Sequence, residues 1–319
     1  MARRGKSDAD ESIQDEMGKT KRGAKGVKPT EAIAKRASQM LAKPAKSLRV
    51  KDLEDYLLKR FPADDAQDWD RTGMLVGEGA LTINKVAIAL DPTVQAISEA
   101  ARIGADVLVT HHPLFLEAPD TFRPESSPAL ASGAGVWAAI QNHISVMSFH
   151  TALDVSRQAQ LLLPNMLGFS YKRPLSAIGG SKSKGFGQIC KVEPIDGKPQ
   201  SLAQISAKCT SVFGRAPRVW GDADKDIECV ITFGGSAGSF VAEALASDAD
   251  AIICGEMGYH KALDLKEAGM AVIELGHDAS ELPLLAVLAR SISDAGIDEK
   301  DIIVLDQSSN WWYPESIRL

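Results

Sequence analysis

Short apolar runs alternate with helix-patterned stretches along this chain, and that alternation restricts it to an α/β fold. Residues 86–90, 107–110 and 145–149 have the length and composition of strands. Asp91-Pro92-Thr93 opens a helix that runs to Arg102, with Pro92 suited to the first turn and Thr93 or Asp91 to the cap. Residues 136–142 form the next helix. Strand, helix, strand, helix, strand predicts a mixed to mostly parallel sheet flanked by helices, with its chemistry at the carboxyl ends of the strands. The order then repeats. A displacement of 144 residues lays Val86-Ala87-Ile88-Ala89-Leu90 on Val230-Ile231-Thr232-Phe233-Gly234 and Glu99-Ala100 on Glu243-Ala244. It also lays Ala105-Asp106-Val107-Leu108 on Ala249-Asp250-Ala251-Ile252, and His111-His112 opposite Gly255-Glu256. Apolar βα units resemble one another easily, but the matching order of elements favours duplication. Two similar lobes facing each other across a cleft are expected.

The rest of the chain fits around that unit. Val50, Leu53, Tyr56, Leu57 and Phe61 follow helical spacing, with Asp52 in the first turn, where a negative charge suits the helix dipole. Asp68-Trp69-Asp70-Arg71-Thr72-Gly73 leads into a short strand that ends at Gly77. Residues 186–192 read as a strand, 201–212 as a helix and 302–305 as a last strand, before Gln307-Ser308-Ser309-Asn310 and Trp311-Trp312-Tyr313. The expected division is a tail over 1–48, an N-terminal lobe over 49–165, an intervening segment over 166–225 and a C-terminal lobe over 226–319. Residues 1–49 hold 13 Lys/Arg against 6 Asp/Glu, a net of +7 in a chain of net −6, which leaves −13 on the body. A basic head can mark nucleic-acid contact. This one is short of aromatics and unable to bury a core, so a disordered tail with at most a short helix over 30–41 is expected, without a nucleic-acid partner. No apolar run approaches the roughly 20 residues of a membrane helix, and Met1-Ala2-Arg3-Arg4 has no apolar core behind it as a secretory signal would. Cys190, Cys209, Cys229 and Cys254 lie far apart without paired spacing and read as reduced, buried thiols. A cytoplasmic protein without a membrane partner is expected.

Four of the six histidines fall in three places, each just after an apolar run: His111-His112, His150 and His277. His150-Thr151-Ala152-Leu153-Asp154 and His277-Asp278-Ala279-Ser280-Glu281 share a His followed four residues later by a carboxylate. If a helix begins at such a His, both side chains lie on one face and reach one site. Either pair alone reads as a capping carboxylate and a surface His. Two pairs and a doublet together point to a metal site. Neighbouring residues on a strand face opposite ways. At a strand end followed by Pro113 the doublet can splay toward two ions, which favours a dinuclear centre, and Glu281 has the reach to bridge them. Cysteine is absent from every cluster, which argues against a structural zinc knot and for an open, catalytic site. Two divalent ions sharing a carboxylate lower the pKa of water, so the reaction class is metal-assisted hydrolysis.

The same residues carry a family resemblance. Trp69-Asp70 with Gly73, Ala89-Leu90-Asp91, Gly104-Ala105-Asp106 running into Thr110-His111-His112-Pro113-Leu114, and the His150 to Asp154 segment resemble the Nif3-like family. So do Gly234-Gly235-Ser236, Ala249-Asp250-Ala251 into Gly255-Glu256, Tyr259-His260, and Gly276-His277 with Glu281. The family is also called the GTP cyclohydrolase 1 type 2 homologues, or the dinuclear-metal hexameric proteins, and the likeness spans about residues 50 to 310. It implies two α/β lobes, a homohexamer, and two divalent metal ions per subunit in the cleft between the lobes. Carried over by motif, one ion takes His112, Asp154 and Glu281, the other His111, His277 and Glu281, with Glu281 as the bridge. His150 then stands beside the pair as a supporting group or proton shuttle. His260 lines the same cavity as a further catalytic candidate, or serves packing. His143 matches nothing and is expected at the surface.

The implied reaction is opening of the purine imidazole ring of GTP with loss of formate. The alternatives are a non-enzymatic hexameric metal-binding or regulatory protein, and a hydrolase of a phosphoester or a damaged metabolite; the ligand expected is a nucleotide or a phosphorylated small molecule. His, Asp and Glu ligands accept Zn, Mn, Fe, Co or Ni. Two departures stand out from the family pattern: Arg71 follows Asp70 where Asn is common, and Asp278 follows His277 where an aromatic is common. An acidic Asp278 would repel phosphate and could hydrogen-bond a base. The Gly234-Gly235-Ser236-Ala237-Gly238 run could hold an anion on helix amides, although a tight strand-to-helix turn is the simpler reading.

Overall fold

The structure, a computed structural model, describes residues 47–124 and 131–312. The expected tail lies outside the described residues apart from Ser47 and Leu48, and the expected helix over 30–41 lies wholly outside them. Four strands come first: β1 (Gly73–Val76), β2 (Val86–Ala89), β3 (Val107–Thr110) and β4 (Ser145–Ser148). β2, β3 and β4 run parallel with β3 in the middle, and β1 pairs antiparallel with β4. Every residue of β2, β3 and β4 is buried, as strands covered on both faces must be. The helix Val94–Arg102 joins β2 to β3 and starts where expected, the Thr93 side chain accepting from the Ala96 amide at 3.0 Å. Its Ile97 and Ala100 pack with Leu108 and Val146 on one face of the sheet. Leu53 and Leu57 of the helix Val50–Arg60 pack with Ile88, Val109 and Met147 on the other.

The second sheet holds β5 (Ser170–Ala177), β6 (Gly185–Lys191), β8 (Arg218–Trp220), β10 (Cys229–Ser236), β11 (Ala251–Glu256) and β12 (Ala271–Glu274), in the order β5-β6-β10-β11-β12-β8. β7 (Gln200–Ser201) and β9 (Asp226–Ile227) form a small ladder apart. β10, β11 and β12 are parallel, and β8 pairs antiparallel with β12. Each sheet thus contains three parallel strands in chain order with an antiparallel strand beyond the third, which is the repeat visible in the sequence. The sheets differ at the opposite edge. The hairpin β5/β6 adds antiparallel to β10, whereas β13 (Ile302–Val304) adds parallel to β2.

Sheet membership does not follow the boundaries at 165 and 226. β5, β6 and β8 belong to the second sheet, and the end of the chain crosses back to the first. The reason is coverage. Leu202, Ile205 and Cys209 of the helix Leu202–Phe213 fill one face of the second sheet, and Ala244, Ala262 and Leu265 fill the other. The apolar stripe Leu285, Leu288 and Ile292 of the helix Leu284–Asp294 finds its place beside Ile88 and Met147 instead. Each such Leu or Ile contributes about 1.5–3 kcal/mol when fully buried. All four cysteines are free thiols, Cys229 the least buried, and burial pushes Cys190 and Cys209 up to about 12. Among the described residues no helix is long and apolar enough to cross a membrane.

Candidate metal centre

β3 ends at Thr110 and delivers the doublet. The amides of His111 and His112 continue the ladder to the carbonyls of Ala89 and Leu90 at 3.3 and 3.0 Å. The Thr110 hydroxyl donates to the His112 carbonyl at 2.7 Å, and the two rings splay with centroids 5.0 Å apart. His111 is fully buried, and its Nδ1 lies 3.1 Å from the Phe149 carbonyl just past β4. A carbonyl only accepts, so Nδ1 carries the hydrogen and Nε2 presents a lone pair. His112 Nδ1 lies 2.7 Å from Asp91 Oδ1, just past β2, and that carboxylate fixes its tautomer in the same way.

The second lobe answers with a helix. Gly276, at φ 101°, caps the short helix His277–Glu281. Because the helix starts at His277, its side chain and that of Glu281 share a face, and His277 Nε2 lies 3.1 Å from Glu281 Oε2. His112 Nε2 is 3.0 Å from the same oxygen. His111 Nε2 stands 3.6 Å from Glu281 Oε1 and 3.6 Å from Asp154 Oδ1. Glu281 therefore separates two groups of donors, with His111 and Asp154 on Oε1 and His112 and His277 on Oε2. The resemblance had assigned His112 to Asp154 and His111 to His277. The nearest contacts group the two histidines the other way, because His111 is tethered beside β4, which leads to Asp154, whereas His112 is tethered beside β2 and lies nearer His277.

His150 also joins the cluster. The helix Thr151–Asp154 begins one residue later than its counterpart, so His150 is its cap. Its Nδ1 turns to Asp70 Oδ1 at 3.0 Å, while Asp70 Oδ2 accepts from the Thr151 amide at 2.9 Å and from the Thr151 hydroxyl. The ring stands 5.1 Å from that of His111 and 5.4 Å from that of His112. One ring nitrogen from each of the three lies within 4.8 Å of the others, and the same holds for ligand atoms of His112, His277 and Glu281. His260 is a correction. It is exposed on the helix Tyr259–Glu267, against the Tyr259 ring at 5.4 Å, and among the described residues no contact joins it to the cluster. Ala262 and Leu265 form the buried face of that helix, which leaves His260 outside. His143 is exposed, as expected.

The charges show what the cluster demands. The buried Nε2 of His111 has no hydrogen-bond partner, and it faces two carboxylate oxygens. A lone pair set against anions in a buried place is stable only with a cation between them. Without a metal, protons take that part. Burial opposes charge on His112, but Asp91 and Glu281 outweigh it and carry His112 up to about 10. Glu281 beside His277 outweighs burial and raises it to about 9. Burial pushes Glu281 up, yet His111, His112 and His277 hold it well below the usual carboxylate range. Asp154 is pushed up by burial and by Glu281, against the pull of His111.

Residues 48–310 match the model of the Duf34/NIF3 (NGG1p interacting factor 3) family. The chain belongs to the Duf34/NIF3 family. It is similar to a GTP cyclohydrolase 1 type 2 homolog of Clostridium acetobutylicum, 29% identical over 252 residues that cover 78% of this chain and 91% of that one. Two solved structures share its fold. A hypothetical protein of Staphylococcus aureus superposes with a TM-score of 0.73 at 20% identity, covering 84% of this chain and 100% of that one. A Bacillus cereus protein related to NIF3 gives 0.72 at 17% identity, with 84% and 100% covered.

Within this Duf34/NIF3 chain the Gly234-Gly235 pair makes room for the Glu281 carboxylate. The β10/β11 register shifts between Phe233 and Ser236. Gly235 takes φ +64°, and a Cβ there would collide with the Glu281 carboxylate. Its amide donates to Ser280 Oγ at 2.9 Å, which ties the ligand helix to the bulge. Asp278 is matched by a cation. Arg215 Nη2 reaches its Oδ1 at 2.7 Å, and Trp311 Nε1 donates to its Oδ2 at 3.0 Å. The expected free negative charge beside the substrate is therefore already paired. Asp91 and Glu256 stood among the family-like segments of the sequence without a place at the site, and Glu256 Oε2 lies 3.3 Å from His277 Nδ1. The signal was present, since the 144-residue displacement sets Gly255-Glu256 opposite the doublet. A cavity of about 570 Å³ opens on His112 and His277, walled also by Asp91, Arg215, Arg218 and Glu256. That volume suits a small molecule.

Proposed function

We propose that this Duf34/NIF3 protein binds two divalent metal ions and is a metal-dependent hydrolase. The observation that carries the reading is the buried, unpaired His111 Nε2 aimed at Asp154 and Glu281, beside a carboxylate whose other oxygen serves His112 and His277. The donor set fits such ions. Imidazole nitrogens and carboxylate oxygens without thiolate suit Zn, Mn, Fe, Co or Ni. His111, Asp154 and Glu281 Oε1 would hold one ion, and His112, His277 and Glu281 Oε2 the other. When bound, the ions supply Lewis-acid activation of water near neutral pH.

The chain's own residues supply the rest. The Phe149 carbonyl and Asp91 keep hydrogen on the Nδ1 atoms, so that both Nε2 atoms face inward. Asp70 occupies His150 Nδ1 and leaves Nε2 as the ring atom that accepts a proton from the reacting molecule. Leu90 and Leu275 give the cavity an apolar wall, while Arg218 offers donors to a polar substrate. The reaction assigned here is hydrolytic opening of the purine imidazole ring of GTP with release of formate, supported by the name of the Clostridium acetobutylicum relative. Assembly as a homohexamer belongs to the same reading.

The test is to strip the protein with chelator, reload it with each metal in turn, and assay GTP beside a panel of phosphoesters. Two ions per chain, activity that tracks occupancy, and its loss in Glu281→Ala with the assembly intact are expected. Full occupancy without hydrolysis of any substrate would leave a metal-binding protein that is not an enzyme. Phosphoester turnover without GTP turnover would move the assignment to a phosphorylated metabolite. An assembly that falls apart on stripping would make the ions structural.

A further inference from the structure

The segment after β13 returns along the end of β2 and reaches the cavity wall at Trp311. Gln307 stands at its start and sets both ends of its amide on the backbone of Leu90 and Asp91. Its Oε1 accepts from the amides of Leu90 at 2.8 Å and Asp91 at 3.0 Å, and its Nε2 donates to the Asp91 carbonyl at 2.8 Å. Further along, Asn310 Nδ2 lies 3.4 Å from Asp91 Oδ2. The carboxylate that orients His112 therefore sits on a backbone clamped by a side chain 216 positions away in sequence. His111 takes its orientation from the Phe149 carbonyl, and His150 from Asp70. Neither of those tethers touches the returning segment among the described contacts.

We propose that Gln307 is a positioning residue for the metal position formed by His112, His277 and Glu281, and that the C-terminal segment thereby sets the occupancy of that position selectively. This inference rests on the two-ion reading given above. The physical chain is short. Three hydrogen bonds hold the backbone on both sides of the Asp91 Cα, that backbone fixes the carboxylate, and the carboxylate fixes the ring whose Nε2 meets Glu281. Truncating the glutamine leaves two amides without an acceptor and lets the Asp91 backbone move, so the ring loses its angle. The His111 and Asp154 position keeps its own tethers and stays as it was.

The experiment uses the full chain, freed of metal and titrated with zinc by calorimetry, with ions per chain counted afterwards by elemental analysis. Wild type is expected to take up two ions. Gln307→Ala is expected to keep one at wild-type affinity and to bind the other about tenfold more weakly, at the low end of the 10–100-fold range for removal of a ligand's direct outer partner. Ser309→Ala, an exposed neighbour on the same segment, is expected to leave both unchanged. Circular dichroism of the metal-free variants reports whether the fold persists. Two unchanged affinities in Gln307→Ala would overturn the inference, and so would equal weakening of both, which is what a merely structural role produces. If Gln307→Ala does not fold, Gln307→Glu keeps an acceptor for the two amides and loses the donor to Asp91. It is expected to weaken the same single position, and no selective change there would equally overturn the inference. A wild type that takes up no zinc would instead defeat the two-ion reading itself.

Discussion

After β4 in one lobe and after β12 in the other stand a histidine and, four residues on, a carboxylate, yet the two pairs do different things. In the second lobe the helix begins at His277, and the pair closes on itself at 3.1 Å. In the first lobe it begins at Thr151, so His150 turns away to Asp70 and leaves Asp154 to His111. One residue of difference in where a helix starts converts a self-contained pair into two separate contacts. Side-chain length adds to it. Glu281 is one methylene longer than Asp154 and meets histidines of both lobes, His111 and His112 from the first and His277 from its own. The ends of β3 and β11 differ likewise. The first lobe presents two histidines there, the second Gly255-Glu256, where a Cβ on Gly255 would meet Ser280 Oγ at 2.5 Å. The two sheets share a strand plan, yet their ends differ: the first presents three of the clustered histidines, the second the carboxylate that meets histidines from both.

The comparison breaks most sharply at the carboxylates. Glu281→Ala is expected to abolish both ions, and Asp154→Ala only one, as read by elemental analysis of protein purified with zinc. Equal losses in the two variants would show that the lobes contribute alike. Next in size, Gly235→Ala drives a methyl group into the Glu281 carboxylate at a positive φ, and such overpacking costs about 1–3 kcal/mol. Urea unfolding should show that loss together with reduced metal content. A variant of wild-type stability that still binds two ions would remove the argument for the bulge. The backing carboxylates separate the lobes further. Asp91→Asn is expected to weaken one ion on the order of 10–100-fold, whereas Asp70→Asn leaves both bound and lowers turnover through His150, as a calorimetric titration beside a rate measurement would show.

A pH dependence separates the metal-free protein from the loaded one. His112 and His277 in the metal-free fold sit near 10 and 9, above the 6.5 of the unfolded chain. The folded form then binds more protons than the unfolded one. Their contribution is complete below pH 6.5 and is lost as pH rises through 9 and 10. Metal in place of those protons removes the dependence. The gap in Tm between loaded and metal-free protein should therefore widen from pH 7 to pH 10, and a gap that narrows would contradict the assignment.

Much of this was legible before any coordinates. Apolar runs and capping residues placed β2, β3, β4, β6 and β10 and the helix Val94–Arg102 to within a few residues. The 144-residue echo announced two related sheets. The clustering of His111, His112, His150 and His277 at strand ends named residues that the fold brings together, along with Asp154 and Glu281. His260 misled because its motif carried no information about which face of its helix is buried.

Local pattern determined these things because strand, helix and cap are decided by residues within a turn or two of each other. What only the tertiary structure decided depends on partners far apart. The helix Leu284–Asp294 and β13 cross to the first sheet because that sheet had a face and an edge to fill. His111 lies close to Asp154, and His112 to Asp91 and Glu281, because one is tied beside β4 and the other beside β2. Asp278 loses its free charge to Arg215, 63 positions away, and Asp91 is held by Gln307, 216 positions away. Contacts of that span are chosen by packing and by the need to pair buried polar groups, and spacing within a single element does not encode them.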